Sequence, residues 1–174
     1  MFLAGYMVLS LSPVPETDGF DFPTGAPDGE GYYDAQPFGN NDHLGADLDG
    51  IGGGDTDKGD AVQAVANGRV VIAEDLGGGW GKVVIVAHRL PDGEHLTSLY
   101  APLDELSVEV GEDLVRGASI GTIGDADGVY IPHLHFEIRT DEALGVGGGY
   151  SAEQEGWVDP LAFIEGSRPS APAE

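Results

Sequence analysis

The chain contains no cysteine. Disulfides and thiolate metal sites are excluded, so any metal ion must be held by His, Asp or Glu. The compartment stays open on this count. Bases are scarce as well: 7 Lys and Arg stand against 31 Asp and Glu, giving a net charge of −24. Such a surface repels nucleic acid and anionic membrane, and nucleic acid is not an expected partner. The plain reading of the acidity is a solvated surface; it also favours cations or cationic substrates. No apolar run is long enough to span a membrane. Residues 1–15 are uncharged, and Met1 to Leu11 are mostly apolar, but the stretch is too short. It resembles the apolar core of a signal peptide without a basic start or a clear small-residue cleavage site. Residues 1–19 are therefore read as a signal remnant or an N-terminal strand.

Glycine and proline are plentiful, with 29 and 11 among 174 residues, and long apolar helical patterns are few. That points to one turn-rich β domain over residues 20–165, followed by a flexible tail over 166–174. Turn residues dominate up to Tyr33, and Phe20, Phe22, Tyr32, Tyr33 and Phe38 are expected to pack this approach onto the domain. The alternative for these aromatics is one wall of a binding groove. Asp55 to Asp60 faintly resembles a calcium loop, but Ala66 stands where the distal Glu belongs, so the loop reads as a solvated turn. Short strands follow. Ala61–Ala66 and Arg69–Glu74 flank Asn67-Gly68, a hairpin signal. Lys82–His88 and His95–Ala101 flank Leu90-Pro91-Asp92-Gly93, another. Leu114-Val115 and Ser119–Ile123 come next. A weak echo between Gly59-Asp60-Ala61-Val62 and Gly111-Glu112-Asp113-Leu114 suggests a duplicated β motif. A short helix is predicted near Asp159, with Pro160 at its first position.

The most informative stretch is Ile131-Pro132-His133-Leu134-His135-Phe136-Glu137-Ile138-Arg139. As a strand it places His133, His135 and Glu137 on one face and Leu134, Phe136 and Ile138 on the other. A second segment, His43-Leu44-Gly45-Ala46-Asp47, brings a further His and an Asp, with Gly45 read as a tight turn. The two segments hold three of the five His. Catalytic zinc takes three protein ligands of these types and leaves a position for water. Spacing alone narrowly favours a metal site over solvated histidines.

In chain order, His43-Leu44-Gly45-Ala46-Asp47, Gly59-Asp60-Ala61-Val62-Gln63-Ala64, Gly68-Arg69-Val70, Tyr100-Ala101-Pro102-Leu103, Gly117-Ala118-Ser119-Ile120-Gly121 and His133-Leu134-His135-Phe136-Glu137 resemble the lysostaphin-type, LytM-like zinc endopeptidases with the duplicated hybrid motif fold. The resemblance covers roughly residues 40–140. It implies an all-β fold of antiparallel sheets, a sandwich or open barrel with long Gly-rich loops. It also implies cleavage of peptide cross-bridges in bacterial peptidoglycan, Zn²⁺ as cofactor and an extracytoplasmic location: periplasm, cell wall or secreted. By position, His43, Asp47 and His135 match the zinc ligands and His133 the catalytic His, which would handle protons or steady the developing oxyanion.

One departure is large. The family pattern has Tyr-x-His-Leu, with a second catalytic His, where this chain has Pro102. Pro102 neither moves a proton nor donates a hydrogen bond. Losing one acid–base group costs about 10²–10⁴-fold, which need not abolish activity. The alternative is a degenerate, non-enzymatic member that binds cell wall or regulates another hydrolase. Tyr100 is a candidate oxyanion donor, with a packed Tyr as its plain alternative. Glu137 is a candidate orienter of a His, with a surface charge as the alternative. His88 and His95 are expected to be structural, facing each other across their hairpin.

Overall fold

The computed structural model describes residues 12–169. Most of the apolar N-terminal segment and the end of the tail lie outside the described residues. Those described form strands β1 (Tyr32–Gln36), β2 (Ala46–Gly50), β3 (Ala61–Gln63), β4 (Gly68–Asp75), β5 (Lys82–Arg89), β6 (His95–Leu106), β7 (Asp113–Leu114), β8 (Ser119–Ile123), β9 (Leu134–Arg139) and β10 (Trp157–Val158). The helix α1 (Pro160–Gly166) follows, capped by Asp159, whose carboxylate accepts from the amides of Leu161 and Ala162. The sheet is antiparallel and unclosed, in the order β1-β2-β9-β6-β5-β4-β7, with β10 on β9, and β8 joining β3 to β6. The all-β expectation is met.

Alternation along the central strands builds the core. Leu134, Phe136 and Ile138 of β9 join Leu48, Tyr100, Leu103, Ile120 and Ile123 in the main apolar cluster. At about 25 cal/mol per Å² of apolar area, burying side chains of this size is the main driving term. Phe20 is 2% exposed and meets Phe163 and His88 edge-on. Phe22 and Tyr32 pack beside it, as expected, whereas Tyr33 is half exposed.

Three local readings are corrected. Asn67-Gly68 does not close a hairpin: β3 pairs with β8, and β4 with β5 and β7. Neither residue has the positive φ that a two-residue hairpin turn requires. Asn67 is instead tied down by accepting from the Arg116 amide and donating to the Glu16 carbonyl. The β5–β6 hairpin does form. Its register sets Arg89 against His95 and His88 against Leu96, so the two histidines do not face each other. The aspartate turn also differs. Asp57 is 3% exposed and accepts from the Gly50 amide, so it is an internal brace rather than a solvated charge.

The two echoing segments do not pair with each other: β3 pairs with β8, and β7 with β4. The scarce bases fasten the periphery. Arg69 pairs with Asp113, Arg89 with Glu16, Arg116 with Asp18 and Asp21, and Arg168 with Asp21 and Asp28. Arg168 therefore anchors the start of the segment expected to be loose.

Candidate metal centre and cleft

The site is built where β2 crosses β9. Asp47 lies directly opposite His135 in the antiparallel register, so both side chains leave the sheet on the same face. Gly45 makes this approach possible: a Cβ there would lie 2.5 Å from the Phe136 carbonyl oxygen and 2.9 Å from His135 Cε1. Its φ is not positive, so Gly45 serves close contact rather than the tight turn expected of it. His43 arrives from a one-turn 3-10 segment, Asn40–Asp42. It is fully buried and bridges to Tyr150, whose ring centroid is 5.1 Å away.

Three lone-pair atoms converge. His43 Nε2 and His135 Nδ1 are 2.9 Å apart, His135 Nδ1 is 2.9 Å from Asp47 Oδ1, and His43 Nε2 is 3.2 Å from the same oxygen. His135 Nε2 faces Glu137 Oε1 at 2.8 Å, so Nε2–H donates there. In neutral His135, Nδ1 then directs a lone pair at a carboxylate oxygen. Only a proton or a cation resolves that contact, which fits a divalent metal of the kind His and Asp bind. Among the described residues, this is the His/Asp/Glu group able to hold an ion.

Electrostatics agree. Burial alone would raise the Asp47 carboxyl, yet hydrogen bonds and charge from His135 and His43 hold it well below the usual carboxylate range. Burial disfavours charge on His135, but Asp47 and Glu137 outweigh it and push the metal-free imidazole up to about 9.

Above these groups opens a cleft of about 630 Å³ lined by Asp47, Asp49, Trp80, Pro102, Tyr130, His133, His135 and Tyr150 among others. His133 sits one residue before β9, and its Nδ1–H donates to the Ile131 carbonyl at 2.8 Å. That leaves Nε2 as its free nitrogen. Pro102 also lines the cleft, at the position where the family pattern places the second His.

Tyr100 is a correction. It is fully buried in the core, 5.3 Å from the Phe136 ring. Its hydroxyl accepts from the Val65 amide and lies 2.9 Å from Ser98 Oγ. Burial pushes it up to about 12. Tyr100 and Pro102 do not share a face because the β5–β6 register slips between Val84↔Tyr100 and Lys82↔Leu103. Glu137 is not a surface charge: it is fully buried against His135, Arg139 and Trp157. Burial would raise its carboxyl, but His135 and Arg139 hold it lowered. His88 and His95 stand apart from the cleft. His88 donates to the Asn67 carbonyl in the interior, and His95 meets Glu142 on the surface. The early aromatics do not wall the cleft; Trp80, Tyr130 and Tyr150 do. Sequence reading missed these three, and also missed Asp49, which shares strand parity with Asp47, and Arg139, which continues the parity of His135 and Glu137.

The sequence model of peptidase family M23 matches residues 42–146. The murein hydrolase activator EnvC of Escherichia coli is 39% identical over 82 residues, covering 47% of this chain and 18% of that protein. Lipoprotein NlpD of Yersinia enterocolitica is 37% identical over 82 residues, 47% of this chain and 79% of that protein. Lysostaphin of Staphylococcus simulans superposes with a TM-score of 0.59 at 24% identity, over 78% of this chain and half of its own, a likeness of fold.

Proposed function

The chain belongs to peptidase family M23, and on that premise we propose that it is a zinc endopeptidase hydrolysing peptide cross-bridges of bacterial peptidoglycan outside the cytoplasm. The observation that carries the reading is the convergence of His43 Nε2, Asp47 Oδ1 and His135 Nδ1 on an open cleft that His133 also lines. Zinc held by these three would polarise the scissile carbonyl and lower the pKa of a water molecule. His133, with Nε2 free, takes a proton from the attacking water and returns it to the leaving amine. Glu137 receives the Nε2–H of His135 and fixes the tautomer whose Nδ1 lone pair, beside the ionised Asp47, would face the ion. Trp80, Tyr130 and Tyr150 provide the apolar surface against which a peptide lies.

Pro102 leaves one proton-carrying group fewer in the cleft, so activity below that of a two-histidine site is expected. A second reading draws on the relative named a murein hydrolase activator, EnvC: the same cleft binds a peptide or a hydrolase and cuts nothing. Digestion of purified peptidoglycan by the zinc-loaded chain, with and without chelator, separates the two. Chelator-sensitive release of peptide fragments supports the enzyme. Binding to peptidoglycan with no release, also after Pro102→His, supports the regulator.

A further inference from the structure

The face of β9 that carries His135 continues through Glu137 to Arg139, and both are fully buried. A buried ion pair is expensive unless every polar atom is satisfied. Here every one is. Arg139 Nε donates to Glu137 Oε2 at 2.6 Å, while its two terminal nitrogens donate to the carbonyls of Gly145 and Val146, each at 2.9 Å. Trp157 Nε1 donates to the same Glu137 oxygen at 2.7 Å, and the guanidinium stands 5.9 Å over the Trp157 ring. Glu137 Oε1 is left for His135.

The loop that Arg139 holds runs directly into the cleft wall. The Gly147 carbonyl accepts from Trp80 Nε1, the Gly149 carbonyl accepts from the amide of Leu44, next to His43, and Tyr150 bridges to His43 itself. One guanidinium thus touches both sides of the centre: His135 through Glu137, and His43 through residues 145–150.

We propose that Arg139 is a positioning residue that couples the metal centre to the 145–150 wall of the cleft, so that filling the centre orders the wall on which a peptide is seated. This rests on His43, Asp47 and His135 being the metal ligands. The physical basis is geometric. Each of the three nitrogens of the planar Arg139 fork donates to a separate acceptor, a geometry Lys cannot reproduce. Coupling of this kind is reciprocal, so a wall that is held in place also holds the metal more tightly.

The test measures zinc affinity by competition with a chromophoric chelator, and amide hydrogen exchange over residues 144–150 with and without zinc. Neither measurement involves peptidoglycan. In the wild-type chain zinc slows exchange across the wall by about tenfold or more. Arg139→Lys and Glu137→Gln weaken zinc by about 10–100-fold, as loss of a partner behind a ligating His does. At saturating zinc Arg139→Lys no longer shows the slowing. Trp157→Phe removes one N–H from a half-buried side chain and gives a smaller effect of the same sign, which serves if the other variants fold poorly. A wild-type chain that binds zinc with no change in wall exchange overturns the coupling and leaves the peptidase reading standing. The same holds if Arg139→Lys and Trp157→Phe respond to zinc like wild type. A chain with intact coupling that digests no peptidoglycan overturns the peptidase reading alone.

Discussion

At the scale of single residues, His133 is the sharpest point of test. His133→Ala should lower peptidoglycan hydrolysis by about 10²–10⁴-fold while zinc content stays near one per chain. His135→Ala should lose the zinc itself. Metal analysis and digestion on the same preparations distinguish the two. Pro102→His should raise activity if the missing group limits the reaction; an unchanged rate would assign its work to another cleft residue. His88 gives a pH signature of stability. Burial lowers it to about 4, against an ordinary value of 6.5, and the Asn67 carbonyl offsets this only in part. A neutral buried His stabilises the fold above pH 6.5, and that contribution fades as pH falls from 6.5 to about 4. Urea midpoints across this window should fall, by about 3 kcal/mol of stability in all at 1.36 kcal/mol per unit. That His43, Asp47 and His135 converge, and that His133 lines the same cleft, was legible because residue type, spacing and the family pattern together mark them. Trp80 and Tyr150 were not: they reach the cleft through Gly-rich loops, where no periodicity constrains direction.

At the scale of elements, β9 carries the site because it is paired on both edges, by β2 and β6. Its alternation was readable, and it correctly separates Leu134, Phe136 and Ile138 from His135 and Glu137. The alternation could not show that the second face is buried too, since the cover comes from the irregular Gly-rich loop after the strand and from Trp80, far back in the sequence. The parity argument for Tyr100 failed for a related reason: a register slip between paired strands leaves no mark in a single strand's sequence. Gly45 predicts its own test. Gly45→Ala places a methyl against the Phe136 carbonyl, which must shift β2 away from β9. The expected cost is about 1–3 kcal/mol, with weaker zinc binding, both measurable by denaturation and chelator competition. A neutral outcome would mean that the two strands separate freely.

At the scale of the whole molecule, the site and the stability of the fold are linked. Metal-free His135, raised to about 9, favours the folded state while it carries its proton. That contribution is complete below pH 6.5 and is lost as pH rises through 9. The melting temperature of the metal-free chain should therefore drop between pH 6.5 and 9. With zinc in place of the proton the drop should shrink. Zinc at about 1,000 times its dissociation constant should add about 4 kcal/mol. Equal melting curves with and without zinc would contradict a native-state metal site. The surface is set by the excess of acid: among the described residues Arg69, Arg89, Arg116 and Arg168, which fasten the periphery, each pair with an acidic side chain. The separation of the ligands has a kinetic consequence. His43 and His135 meet across 92 positions of chain, and closing a loop of that length costs about 4 kcal/mol of entropy before any contact within it is counted. A nascent chain that has not yet reached β9 holds only two of the three candidate ligands, so the proposed metal centre cannot assemble until that central strand docks.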